Sequence, residues 1–352
     1  GVGASAAAIT VNNTDGTCAA NITSLNGGQL SNRNKVINGA MQVAQRATSV
    51  SSITSGNYYV CDRWKLGYGT AGTWTLSQST DTPDNFGSSF KFDCTSANTS
   101  LSAGSNLQLV HFFEGQDLQD VQKGKSTAKE ITVSFYVKTN KTGTYVVELM
   151  DHDNSNRHCN KSYTVSDTNW NRYELTFPAD TTGTLNNDNA KSFEVGFWLV
   201  AGSTFTGGSL QTTWSTLNQG SRAVGQVNLA DSTSNEWLLT GVQLEVGSVA
   251  TEFEHRSFAQ ELALCQRYYH KLTGSQNKLI LFNDYNNATN NFWANVYLPT
   301  TMRAAPTLTA TGISGGDSLD SSTTSIHLMS LQTSDGAKYI GNGTVIEASA
   351  EL

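Results

Sequence analysis

The sequence predicts an all-β protein, and three observations carry that prediction. Only 14% of its 352 residues are charged, too few Lys, Glu and Arg to coat many solvent-facing helices. Segment after segment alternates apolar and polar residues with a period of two. Between those segments stand clusters of Asn, Thr, Gly and Asp that read as turns, such as Asn140–Gly143 and Pro178–Asn189.

Residues 1–34 are small and polar, with isolated apolar positions such as Ile9, Val11, Ile22 and Leu25. That is too little apolar surface for a core of its own, so the segment reads as an extended attachment or stalk that packs against other chains. From residue 35 to 257 the period-two pattern dominates. Ile131, Val133, Phe135 and Val137 share one face, as do Tyr145, Val147 and Leu149, and again Phe193, Val195, Phe197 and Leu199. Strands with one apolar face, separated by turns, are what an antiparallel sandwich needs, and the length of this run favours a jelly roll over a smaller immunoglobulin-type sandwich.

One helix follows. Phe258, Leu262, Cys265, Tyr269 and Leu272 recur at spacings of three and four and lie on a single stripe. Ser257 is the N-cap, with Gln260 at the capping-box position and Gly274 just past the end. Residues 258–273 are therefore a connecting helix, too short to stand alone in water. Its stripe faces either the sandwich or copies of itself in an oligomer. Residues 274–352 return to strand patterning, in Phe292, Ala294, Val296 and Leu298 and in Ile346, Ala348, Ala350 and Leu352, and form a smaller C-terminal β module.

Charge and cysteine usage exclude several function classes. A net charge of −7 without a Lys/Arg cluster leaves nothing to neutralise a phosphate backbone, so no nucleic acid is expected. No apolar run is long enough to insert in a membrane, and the first ten residues lack a signal peptide's basic start. Cys18, Cys61, Cys94, Cys159 and Cys265 are odd in number and widely spaced, unlike a disulfide framework or a zinc site, and read as buried thiols.

The segments Asn34–Arg46 (NKVINGAMQVAQR), Tyr58–Leu66 (YYVCDRWKL) and Leu239–Tyr269, with Thr301–Thr309 (TMRAAPTLT) and the closing EASAEL, go beyond pattern. In this collinear order the chain resembles a family of tail-fibre and other virion surface proteins of bacteriophages, common among marine phages and cyanophages. The resemblance implies a carbohydrate-binding-module-like jelly roll between a variable attachment segment and a variable tip. It also implies a homotrimeric appendage on the phage particle, bound to other virion proteins through residues 1–34, with a host-surface polysaccharide as a further partner. A capsid decoration or head-fibre protein is the first alternative; a secreted bacterial carbohydrate-binding protein is the second.

Sugars offer apolar C–H faces to aromatic rings and hydroxyls to Asn, Gln and Arg. Of the seven tryptophans, Trp214 stands out because it sits in the long polar loop Ser209–Arg222, where an aromatic has no evident core to enter. Gln211, Asn218 and Arg222 of that loop complete a candidate glycan site. The helix stripe Phe258, Leu262, Cys265, Tyr269 and Leu272 is the candidate oligomer interface.

Other constellations read as structural. Asp151–Cys159 (DHDNSNRHC) opens like a calcium loop, but Asn156 stands where the loop needs Gly and Ser162 where it needs Glu. His152, His158 and Cys159 lack a fourth zinc ligand. Glu114, Asp117 and Asp120 are crowded into one loop-like stretch rather than set across a cleft. No catalytic residue, metal or cofactor is expected.

Overall fold

The computed structural model describes residues 10–11, 18–19, 31–273, 282–286, 291–311, 318–331 and 345–352. In chain order its strands are β1 (Thr10–Val11), β2 (Cys18–Ala19), β3 (Ser49–Ile53), β4 (Trp64–Gly69), β5 (Thr73–Ser79), β6 (Ser89–Ser96) and β7 (Asn106–Glu114). There follow β8 (Ile131–Thr139), β9 (Gly143–Asp151), β10 (Arg157–Val165), β11 (Asn171–Phe177), β12 (Lys191–Ala201), the one-turn helix α1 (Ser203–Thr206) and β13 (Glu236–Val246). Helix α2 (Phe258–Gln266) leads to β14 (Tyr269–Thr273), β15 (Phe282–Asn286), β16 (Asn291–Tyr297), β17 (Thr307–Thr311), β18 (Ser318–Ser321), β19 (Ser325–Leu331) and β20 (Val345–Ser349). Apart from the short β1–β2 pair, most of the attachment segment 1–34 lies outside the described residues.

Residues 35–257 form a sandwich of two antiparallel sheets, ordered β10-β9-β12-β7-β4 and β11-β8-β13-β6-β5-β3. From β6 onward the chain passes repeatedly from one sheet to the other, the jelly-roll plan. Alternation explains why the sheets face each other. Val133, Phe135 and Val137 of β8 and Phe193, Val195, Phe197 and Leu199 of β12 are completely buried, because each set projects into the shared core. The rings of Phe135 and Phe197 meet edge to face at 5.0 Å across the layer. Trp64 and Trp74 lie in this core, their indole N–H groups donating to the carbonyls of Asn38 (3.1 Å) and Ala71 (2.7 Å), as buried indoles require. Cys61, Cys94, Cys159 and Cys265 are buried free thiols.

Helix α2 is shorter than its stripe predicts. The Ser257–Gln260 capping box is present, but the helix stops at Gln266 and the chain turns at Tyr268. Tyr269 and Leu272 belong instead to β14, paired residue for residue with β20. The five-residue stripe is thus divided: Cys265 is buried, Leu262 is half-buried, and Phe258 is 55% exposed. Glu261 and Cys265 anchor the helix, Glu261 by accepting the Asn38 backbone N–H (2.5 Å). The expected cap partner Gly274 lies outside the described residues.

Beyond α2, two small sheets, β14-β20-β17 and β15-β16-β19-β18, enclose a small core of Met302, Ile326, Ile346, Ala348 and Ala350. This module is tied to the sandwich by buried charge. Glu351 pairs with Arg63 and, at 3.1 Å, with Arg46. Glu114 at the end of β7 accepts two bonds from Arg267 (2.8 and 2.7 Å) and one from the Tyr268 hydroxyl (2.6 Å).

Candidate functional site

The five-stranded sheet shows its second face away from the core, and strand register determines what stands there. One row runs Lys65, Val110, Gly196, Glu148, Asn160 across β4, β7, β12, β9 and β10. The row on one side holds Gly67, Gln108 and Trp198; the row on the other holds Phe112, Glu194, Met150 and His158.

The loop after β12 roofs one half of this face. Phe205 packs on Trp198 at 5.1 Å, and Val146, Trp198, Ala201 and Ala223 form a small second core with Phe205 and Leu210. Arg222 reaches down from the loop and donates to Glu148 through Nε (2.9 Å) and Nη2 (2.7 Å). Glu148 is fully buried and accepts as well from Trp198 Nε1 (3.1 Å), with His158 Nδ1 at 3.3 Å. Burial pushes the Glu148 carboxyl up, but Arg222 and His158 together hold it below its ordinary value.

The four residues expected to read a glycan from this loop are thereby committed elsewhere. Arg222 is the counter-charge of Glu148. Asn218 caps a one-turn 3-10 helix by accepting the Gly220 N–H, while its own backbone N–H donates to His158 Nε2 (3.3 Å). The Gln211 side chain donates to Thr213 O (2.7 Å), and its backbone carbonyl receives the Asn160 N–H (2.7 Å). Trp214 does find a core: half-buried, it packs 5.8 Å from Phe193, donates from Nε1 to Pro178 O (2.8 Å) and carries Lys123 Nζ 5.0 Å above its ring.

The other half of the face lies beyond the contacts of this loop, and it assembles a different set of groups, buried among themselves at the floor with Lys191 exposed at the edge. Gly67 and Gly196 interrupt its floor: a Cβ on Gly196 would make ordinary contact with Val110 Cγ1 at 3.7 Å, and one on Gly67 with Gln108 Cβ at 3.6 Å. Glycines inside strands often mark close approach by a ligand. Around them stand Gln108, Val110, Phe112 and Glu194, which keep 5–8% of their surface in water where the inward residues of the same strands keep almost none. At the rim His152 Nε2 lies 2.7 Å from Glu194 Oε2 and its Nδ1 3.1 Å from Asn156 Oδ1. Lys65 and Lys191 reach over the Phe112 ring, with Nζ 5.6 and 4.8 Å from its centroid. This trough offers an apolar floor for C–H faces and an amide, a carboxylate and an imidazole for hydroxyls.

The acidic stretches do other work. Asp151 pairs with Lys123 and accepts the N–H groups of Asp153 (2.9 Å) and Asn154 (3.2 Å). Asp153 turns to Asn186, Cys159 is buried inside the sandwich, and His158 is buried beneath the loop on the outward face. Among the described residues no three His, Cys, Asp or Glu side chains gather around a metal-sized site. Glu114 binds Arg267, Asp120 binds Lys35 at 2.9 Å, and Asp117 is exposed, so the three acids share no cleft.

The trough residues were not singled out by sequence. The alternation that assigned Phe193, Val195 and Phe197 to the core also places Glu194 and Gly196 on the opposite face, which was the one available signal.

No protein-family model matches the chain, and no curated protein matches it. Among solved structures it is similar to a putative sugar-binding protein from Bacteroides thetaiotaomicron, with a TM-score of 0.35 and 11% identity over 61% of this chain and 100% of that one. It is similar also to the family 11 carbohydrate-binding module of a Clostridium thermocellum cellulosomal cellulase (TM-score 0.30, 13% identity, 59% of this chain and 99% of that one). A third likeness is to the enzymatically active domain of tailspike protein 4 of bacteriophage CBA120 (TM-score 0.31, 14% identity), where 60% of this chain covers 21% of the other. The chain thus spans about a fifth of that tailspike structure. What this chain binds has to come from its own residues.

Proposed function

We propose that the chain is a non-enzymatic, glycan-reading subunit of a phage surface appendage, and that the half of the five-stranded sheet beyond the loop after β12 is its contact with the sugar. The observation that carries the reading is the trough itself: a floor interrupted at Gly67 and Gly196 beside Phe112 and Val110, with Gln108, Glu194 and His152 around it. Of the carboxylates on this face, Glu148 is taken by Arg222 and Glu114 by Arg267, leaving Glu194 with His152, whereas hydrolysis of a glycosidic bond ordinarily needs two facing each other across the scissile bond. The exposed Phe258 and half-buried Leu262 on α2 give copies of the chain an apolar patch to share, which supports a trimer built around this helix.

The test is binding of the purified chain to a panel of bacterial surface polysaccharides, with reducing-sugar release followed in parallel. Binding without release is expected. Failure to bind any polysaccharide, or steady release of sugar, overturns the reading. Labelled antibody on particles tests the location, and native mass the trimer; particles without label, or a monomer, contradict those parts.

A further inference from the structure

We infer that the sugar taken by the trough is an acidic one, a hexuronate unit of an anionic polysaccharide whose carboxylate is held between Lys65 and Lys191; this rests on the glycan-binding reading and deepens it. Acids outnumber bases in this chain, 29 to 22, and about half of the described lysines lie against one. Lys35, Lys91, Lys123, Lys138 and Lys141 each lie within 4 Å of a carboxylate. Lys65 and Lys191, like Lys125, Lys129 and Lys161, do not form an ion pair among the described residues; what sets these two apart is that they come from strands on either side of β7 and both approach the Phe112 ring, Lys65 lying equally near the Tyr58 ring. Glu114, which stands directly opposite Lys191 in the sheet register, is taken by Arg267 and Tyr268, and Glu194, opposite Phe112, is turned to His152.

An ammonium over an aromatic face is attracted by the ring and is partly stripped of water. Two such ammoniums, unpaired and set over a shared ring, form a positive pocket in a protein of net charge −7, and charge-assisted hydrogen bonds to a carboxylate are the strongest contacts they can make. The floor beside them is shaped for the rest of the sugar. Gly67, Gly196 and Val110 present no polar side-chain atom to an apolar ring face, and Gln108 stands beside Gly67 in register with an amide that suits a hydroxyl. A free anion would use the lysines and leave that floor empty; a neutral sugar would use the floor and leave the lysines unpaired.

The experiment measures affinity for polygalacturonate, alginate and neutral dextran at about 0.15 M salt, where long-range attraction is screened. It compares the intact chain, the double variant Lys65→Met/Lys191→Met, its Arg counterpart, and a control pair Lys125→Met/Lys129→Met. We expect binding to a polyuronate and not to dextran, with at least about tenfold loss in the Met pair and recovery in the Arg pair. The control pair should bind like the intact chain, and all variants should melt alike. Dextran binding that the Met pair retains would overturn the acidic-sugar inference while leaving the glycan reading intact. Equal loss in the control pair would reduce the effect to net charge and overturn it as well. No binding to any of the three, with none on the wider polysaccharide panel, would remove both.

Discussion

The two halves of the outward face of the five-stranded sheet are built on the same strands and differ in what happens to their charges. Under the loop, Glu148 receives Arg222, Trp198 and the His158 ring, and the carboxylate is closed in. In the other half, Glu194 has His152 alone, and Lys65 and Lys191 lie over Phe112 without a carboxylate. The same fold thus uses polar side chains in one half to pin a loop and in the other leaves two lysines without a carboxylate. Saturation of polar groups, more than aromatic content, is the difference on which the proposed assignment of the sugar contact rests.

Substitution puts that contrast at risk. Arg222→Met would leave the buried Glu148 without its counter-charge and should cost about 3–5 kcal/mol, read as a large fall in melting temperature. Glu194→Gln in the other half, where the amide still offers an oxygen to His152, should cost clearly less than Arg222→Met. Equal costs would break the comparison.

The junction with the C-terminal module supplies a third, intermediate case. Asp62 is buried with Arg46 only at 3.6 Å, and burial raises its carboxyl to about 6 in spite of bonds from Gln45. Because the folded value is raised, Asp62 favours the fold most below about pH 4, and that contribution is lost as pH rises to about 6, by at most about 3 kcal/mol. Glu148, held below its ordinary value, behaves oppositely: its contribution is present at neutral pH and lost as acid protonates it. Asp62→Asn should therefore improve stability at pH 7 relative to pH 4 compared with the parent chain, measured by urea unfolding at both. A change of the opposite sign would show that Asp62 is paired like Glu148, and an unchanged pH profile would show that its carboxyl titrates alike in the folded and unfolded chain.

Trp214→Ala should cost about 2 kcal/mol through the lost Phe193 contact and Pro178 hydrogen bond, and should leave glycan affinity within about threefold, since below about 1 kcal/mol of binding free energy nothing has been removed from the contact. The smallest effect on stability is expected from Lys65→Met/Lys191→Met, within about 0.5 kcal/mol.

Much of the fold was legible because inward alternation is a local property. The sets beginning at Ile131, Tyr145 and Phe193 each needed only their own neighbours to be assigned a face. The end of α2 was not legible. Tyr269 and Leu272 happen to continue the helical spacing, but pairing of β14 with Val345–Ser349, far along the chain, decides their conformation. Trp214 misled for a similar reason, since its partners Phe193 and Pro178 are distant in sequence and a polar loop conceals them. The trough was hidden in another way. Asn106–Glu114 (NLQLVHFFE) reads as one apolar run buried on both sides, and the isolation of Lys65 and Lys191 from acids exists only in three dimensions.

The central claim is that the half of the sheet beyond the loop carrying Trp214, and not that loop, meets the sugar. Its most direct test is to fill the floor. Gly67→Ala and Gly196→Ala add a Cβ that has only ordinary contacts, so both variants should fold and melt like the parent. Measured beside Trp214→Ala on the same polysaccharide, the filled variants should lose binding while Trp214→Ala keeps it. Retained binding in the filled variants, with loss in Trp214→Ala, would contradict the account.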